Sequence, residues 1–201
     1  FPHFMLRGKA VKYKKGKTTF RDKMLSSTDI IGKIASIPIV VEAVNASINA
    51  PTTRKLIDNI FNIHSERKLP EYTSKKFRST TKNDESFTVR NGKTTSGKVA
   101  VYSTCYINYN EPNIGHDLIK ILKFNAIPTR LVEKEACCGM PKLELGDLQA
   151  VERFKNINIP NLIKLVEEDY AIIVSVPSCA FMLKQELPLM FPNDKDIKKV
   201  A

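Results

Sequence analysis

Cys105, Cys137, Cys138 and Cys179 are the residues of this sequence whose type and spacing could do chemistry. Two of them are adjacent, in the stretch "ACCGM", and neighbouring cysteines reach disulfide geometry with each other only under strain. The pair must therefore look elsewhere for partners. Thiolates suit iron–sulfur clusters and zinc, and a dithiol can also serve as a redox switch. Two neighbouring thiolates do not easily chelate one small tetrahedral ion, but they can reach two separate irons of a cluster. Gly139, directly behind them, lets the backbone come close and take a positive φ if the turn needs one. The expected cofactor is an iron–sulfur cluster, the four-iron, four-sulfide type first, held by Cys105, Cys137, Cys138 and Cys179. A zinc site is the alternative, and a thiol–disulfide switch pairing Cys105 or Cys179 with one of the adjacent cysteines is a third chemistry. Ordinary buried packing cysteines are the bland counterpart.

Each cysteine follows an apolar run that reads as a strand. "KVAVYSTC" ends at Cys105, "IPTRLVEKEACCG" carries a strand over Thr129–Glu133 into the pair, and "YAIIVSVPSC" ends at Cys179. Helical patterns lie between them. "EPNIGHDLIKILKFN" spaces Ile114, Leu118, Ile121 and Leu122 along one face, with Pro112 near the first turn. "GDLQAVERFKNINIPNLIKLVEED" has Asp147 as a cap and Pro160 as a kink or break. "AFMLKQELPLMF" closes the region as a further helix. Alternating strands and helices predict an α/β fold: a small parallel sheet with flanking helices and cysteines at the C-terminal strand ends, preceded by a basic helical segment. In such sheets the loops at the carboxyl ends of the strands form the ligand crevice, so three loops would bring four thiols together. Pro141 and Pro177 could stiffen two of these loops. Tyr106, Asn108, Tyr109 and Asn110 form either a turn or a set of donors to sulfur. His116 reads as a surface residue, and His3 and His64 have no assigned role.

Of the 201 residues, 32 are Lys or Arg and 21 Asp or Glu, a net charge of +11. The excess is confined to residues 1–97, with 19 basic and 8 acidic side chains, whereas residues 98–201 have 13 of each. "TTFRDKMLSS", "TDIIGKIASI" with Ser27 or Thr28 as N-cap, "IVVEAVNASI" after Pro38, and "TTRKLIDNIFNI" all suit short helices. The last places Leu56, Ile57, Ile60, Phe61 and Ile63 on one side. From Lys68 to Gly97 the chain reads as a polar extended linker with turn signals at Asn91-Gly92 and Ser96-Gly97. Two parts are expected, 1–96 and 97–201. No stretch approaches the roughly 20 apolar residues of a membrane span. Four cysteines and no secretory pattern predict a reducing, cytoplasmic setting. The basic half suits an acidic partner or anionic lipid, and without interleaved aromatics nucleic acid is not expected. No general base, nucleophile or phosphate loop is visible, so catalysis by this piece alone is not expected.

The stretches "CYINYNEPNIGHDLIKIL", "LVEKEACCGMPKLELGD" and "VSVPSCAFMLKQELP" resemble the cysteine-rich CCG domain. That domain occurs in heterodisulfide reductase B-type subunits and in the C-type subunits of anaerobic glycerol-3-phosphate dehydrogenase. "FRDKMLSSTDIIGKIASIP" and "TRKLIDNIFNIHSERKLPEY" extend the likeness to the latter. The resemblance implies an iron–sulfur electron-transfer component that works between a flavoprotein dehydrogenase and a membrane quinone or another acceptor. It further implies peripheral attachment at the inner face of the cytoplasmic membrane, a membrane-associated partner, and an interior piece of a longer protein. The motif's cysteines fall on Cys105, Cys137, Cys138 and Cys179. The fullest motif ends in two cysteines separated by two residues; here Val176 and Met182 stand three positions either side of Cys179. A four-thiolate site is the more economical reading.

Overall fold

Three short strands meet in the computed structural model, which describes residues 2–86 and 97–201. β1 (Val99–Tyr102) is central and pairs in parallel with β2 (Thr129–Leu131) on one side and β3 (Ala171–Val174) on the other. Side chains alternate across the sheet with the two-residue period of a strand. Ala100 and Tyr102 join one core with Val132, Leu162, Met182 and the cysteines Cys137, Cys138 and Cys179. Val99 and Val101 face a second, smaller core with Phe77, Ile107 and Leu122. The parallel α/β sheet predicted from the sequence is therefore present, with the thiols on one side of it.

The basic first part contributes α1 (Pro2–Lys14), α2 (Phe20–Leu25), α3 (Thr28–Ala35), α4 (Pro38–Asn49), α5 (Pro51–Phe61) and the short α6 (Phe77–Thr80). α7 (Cys105–Tyr109) and α8 (Pro112–Phe124) follow β1, and α9 (Met140–Leu145) and α10 (Leu148–Glu167) follow β2. After β3 come α11 (Pro177–Phe181), a π-helical turn over Met182–Glu186, α12 (Leu187–Met190) and α13 (Lys195–Val200). The first part is not set apart from the second: α1 packs on α9 and α3 on α7.

Several expectations change in detail. Pro38 opens α4 at its first helical position, where a missing N–H costs nothing. α10 runs unbroken through Pro160, because that residue and Asn156 lie on the exposed side, where water can meet the freed carbonyl. β2 stops at Leu131 rather than Glu133: the carbonyls of Val132 and Glu133 accept from Arg78 at 2.8 and 2.9 Å. On α8 the inward stripe is Gly115, Leu118, Ile119 and Leu122, while Ile114 and Ile121 are exposed. Phe77 sets that rotation, since its ring lies 2.6 Å from where a Cβ at Gly115 would stand. α5 exposes Leu56 and Ile60 and buries Arg54 instead, whose guanidinium donates to the carbonyls of His64, Ser65 and Arg67.

The linker expected from Lys68 onward is anchored to the rest of the chain at Phe77 and Asp84. Phe77 is fully buried, and Asp84 bridges to Thr129 in both directions, at 2.8 and 2.7 Å. Asn91-Gly92, Ser96 and the boundary at residue 96 lie outside the described residues. Gly97 takes the left-handed backbone of a turn, with φ 72°.

Candidate metal centre

All four cysteines stand just beyond a strand's carboxyl end, each in a locally specified backbone. Cys105 opens α7 and is partly exposed. Before it, buried Thr104 caps the helix, its Oγ1 accepting from Ile107 N at 3.3 Å. Thr104 has φ 61° and ψ 158°, a region a β-branched residue rarely enters, and such strain is held only where surrounding structure imposes it. Cys137 and Cys138 are buried in the loop after β2, with Gly139 at φ 98° as N-cap of α9. A Cβ there would meet only ordinary contacts, so it is the left-handed backbone that asks for glycine. Cys179 is buried in α11, with Pro177 in that helix's first turn.

The loops bring the thiols into one neighbourhood. Each thiol's hold on its proton depends on the next: Cys105 on Cys137, Cys137 on Cys105 and Cys138, and Cys138 on Cys137 and Cys179. The interaction with Cys137, followed by burial, pushes the Cys105 thiol well above its ordinary value. At Cys137 the bond from Cys105 pulls down, but Cys138 and burial prevail and push the thiol up to about 12. Cys138 is pulled down by Cys137 and raised more strongly by Cys179 and burial. Burial and the neighbouring thiols favour the protonated forms, so a cation bound among them must displace protons. The backbone N–H groups of Gly139 and Met140 favour the charged forms of Cys137 and Cys138. The Thr28 hydroxyl, from α3, lies 3.6 Å from Cys105 Sγ and 3.9 Å from Cys137 Sγ.

Two buried networks hold the cysteine loops, and neither was visible in local sequence. Asn158 on α10 donates to the Cys137 carbonyl at 3.0 Å and to Tyr102 Oη at 3.2 Å, and accepts from Ala136 N at 2.8 Å. Tyr102 Oη donates in turn to the Ala136 carbonyl at 2.6 Å. The second network joins Glu135 to Ser103, which lies two residues before Cys105, by bonds of 2.9 Å from its N and 2.8 Å from its Oγ. Arg78 closes it with a 3.1 Å ion pair to Glu135. Burial pushes the Glu135 carboxyl up, and Arg78 and Ser103 pull it back. A polar residue inside the apolar stripe Val151, Ile159, Leu162 was the one available signal for Asn158.

Of the two readings of the stretch after Cys105, the structure supports the one without a role at sulfur. Asn108 Oδ1 accepts from Arg78 N, and Asn110 donates to the Glu71 carbonyl. Tyr109 packs its ring against Gly32, and Tyr106 is exposed. His116 bonds Thr80 at 2.9 Å on the outside of α8, and His3 bonds Glu186 at 3.1 Å.

Among the described residues, no three His, Cys, Asp or Glu side chains converge on one point suited to a single metal ion. The four cysteines instead supply soft donors from three loops, with the Thr28 hydroxyl at two of the sulfurs. That donor set fits a multi-iron cluster, in which each thiolate reaches a different metal, better than one tetrahedral zinc. A cavity of about 490 Å³ opens onto Cys105 and Cys137, with Asp29, Lys33, Lys76 and Arg78 on its walls.

Comparison with known proteins decides the family of this region. Residues 99–184 match the family model CCG, described as a cysteine-rich domain. They form a CCG cysteine-rich domain. The likeness to known proteins extends beyond that domain. The chain is 28% identical over 180 residues to the C-type subunit of anaerobic glycerol-3-phosphate dehydrogenase of Escherichia coli, covering 88% of this chain and 43% of the relative. The B-type subunit of fumarate reductase (CoM/CoB) of Methanothermobacter marburgensis is 24% identical over 127 residues, 63% of this chain and 25% of that one. An uncharacterized iron–sulfur protein of Methanocaldococcus jannaschii is 27% identical over 104 residues, 51% of this chain and 21% of its own. The chain thus spans less than half the length of each of these relatives. No solved structure gives a significant match. All four cysteines lie within the CCG domain, and Thr28 and Arg78 reach it from outside.

Proposed function

We propose that this chain is an iron–sulfur electron carrier, with Cys105, Cys137, Cys138 and Cys179 as the cluster ligands. The observation that carries this reading is the placement of four cysteines beyond the ends of three parallel strands, with the Thr28 hydroxyl 3.6 Å from Cys105 Sγ and 3.9 Å from Cys137 Sγ. A bound four-iron cluster would supply one-electron transfer. The chain's own residues do the rest. Burial of Cys137, Cys138 and Cys179 keeps water from the sulfurs. The Gly139 and Met140 amides offset negative charge there. Partly exposed Cys105, at the floor of the cavity, gives the side from which an electron partner approaches.

In this reading the donor is a flavoprotein dehydrogenase that oxidises glycerol 3-phosphate or a related substrate, and the acceptor is membrane quinone or a further carrier. The support is the similarity to part of a dehydrogenase complex over most of this chain. We assign the chain to the inner face of the cytoplasmic membrane as a peripheral component. No single helix among the described residues is long and apolar enough to cross a membrane, but α3 and α4 together reach that length and composition, bent by 110°. Ile30, Ile34, Ile37 and Ile39 are exposed around their elbow, with Lys23 and Lys33 close by in sequence. Co-sedimentation with anionic vesicles, lost on Ile34→Asp with Ile39→Asp, is the expected result; equal binding by the variant overturns the attachment.

Anaerobic purification with iron, sulfide and EPR analysis tests the cluster. Iron and acid-labile sulfide should be present and should fall on substitution of any of the four cysteines by serine. Stoichiometric zinc, with no iron after anaerobic reconstitution, would overturn it. A dithiol switch is the second reading, favoured by four free cysteines of which Cys105 and Cys137 share the Thr28 hydroxyl. Mass mapping after mild oxidation would show a single reversible bridge pairing Cys105 or Cys179 with one of the adjacent cysteines.

A further inference from the structure

α3 lies outside the CCG domain yet reaches its sulfurs. Thr28, the first residue of α3, sets its hydroxyl 3.6 Å from Cys105 Sγ and 3.9 Å from Cys137 Sγ, bridging the loops after β1 and β2. Two anchors hold it there. One turn further along the same face, Gly32 is buried so tightly on Tyr109 of α7 that any Cβ would overlap the ring. On the other side Lys142 of α9 donates to Ser26 Oγ at 3.2 Å and Ser27 Oγ at 2.8 Å, the two residues before Thr28. The start of α3 is thereby tied to the helix that begins at Cys105 and to the helix that follows the adjacent pair.

We infer that Thr28 is a positioning and tuning residue for the cysteine site: its hydroxyl donates to cluster sulfur and raises the reduction potential, and Gly32 sets the close approach that makes this possible. The inference rests on the iron–sulfur reading above. Donors to ligand sulfur stabilise the more negative, reduced state, so they move the potential upward. Val has nearly the shape of Thr but no hydroxyl, and Ser keeps the hydroxyl without the methyl. The first part of the chain thus sets a property of a site whose ligands all lie in the second.

The test is an EPR-monitored redox titration of the anaerobically purified intact protein, with iron content and thermal unfolding measured alongside. Thr28→Val should hold as much iron as the parent and titrate at a lower potential. Thr28→Ser should return the potential to the parent value. Gly32→Ala, which forces α3 away from α7, should shift the potential the same way as Thr28→Val. Should Thr28→Val fold poorly, the Ser and Ala variants at positions 28 and 32 carry the comparison by themselves. Equal iron with an unmoved potential in Thr28→Val and Gly32→Ala overturns the role of Thr28 while leaving the electron carrier intact. A parent protein that binds no iron overturns the function itself, and the tuning role with it.

Discussion

Asn158 shows how much one side chain can decide at the residue scale. It is a buried amide on a helix whose other inward residues are apolar, and two of its three bonds go to the backbone of the segment that carries Cys137, the third to Tyr102 Oη. Replacing it with Leu fills similar volume but strands the Ala136 N–H and the Cys137 carbonyl away from water. A buried backbone group without a partner costs on the order of 1–3 kcal/mol. Asn158→Leu should therefore lower the unfolding free energy by about 2–4 kcal/mol, read as a fall in urea midpoint. A loss below about 0.5 kcal/mol would mean that water reaches these groups. Thr104 and Gly139 belong to the same scale. Both hold positive φ beside a cysteine, one under strain and one with none.

At the scale of elements, caps and close packings decide where helices begin and what they can carry. Asp194 caps α13, its carboxylate accepting from Asp196 N and Ile197 N at 3.1 Å each. The bond from Ile197 chiefly, with Lys155 assisting, holds this carboxyl below the ordinary Asp value of 3.8. A lowered folded-state pKa means that the contribution is present above pH 3.8 and lost as pH falls through the lowered value. Asp194→Ala should cost about 1 kcal/mol near neutral pH. The gap between parent and variant should close in denaturation curves taken at progressively more acid pH. α9 offers a second case. Gly146 ends it at φ 93°, and a Cβ there would meet the Lys9 carbonyl carbon of α1 at 2.6 Å. Gly146→Ala is barred by backbone conformation and by the neighbouring chain alike, so α1 should loosen. Limited trypsin digestion should then cut the Lys and Arg sites of α1 faster, with the remainder of the chain as resistant as before.

On the scale of the whole molecule, the basic first part and the CCG domain work as neighbours. Lys9 pairs with Glu144 at 2.5 Å, Lys142 reaches Ser26 and Ser27, and Arg78 holds Glu135. Three loops and α3 all contribute side chains to the cysteine site, so binding there should couple to folding. Iron loading is expected to raise the unfolding midpoint, since a ligand bound only by the folded state stabilises it by mass action. Calorimetry of loaded and chelator-treated protein checks this, and equal midpoints would show that the loops are ordered without it.

The four cysteines, their positions after three apolar runs and the parallel order of those runs were legible in the chain itself. The existence of the strands and the turn at Gly139 follow from local chemistry: β-branched runs, a glycine able to take φ above zero, prolines in the first turns of α9 and α11. What sequence periodicity could not give was the rotation of α8 and α5, because Phe77 and Arg54 act on them from segments read as a linker and an apolar face. Nor could it give the partners of Asn158, Arg78, Glu135 or Thr28. Each meets its partners across tens of residues, from Arg78 to Glu135 over 57 and from Thr28 to Cys137 over 109. Local pattern determines which face of an element is apolar; which residues then meet across elements is settled only by packing, where one ring or one absent Cβ selects the contact.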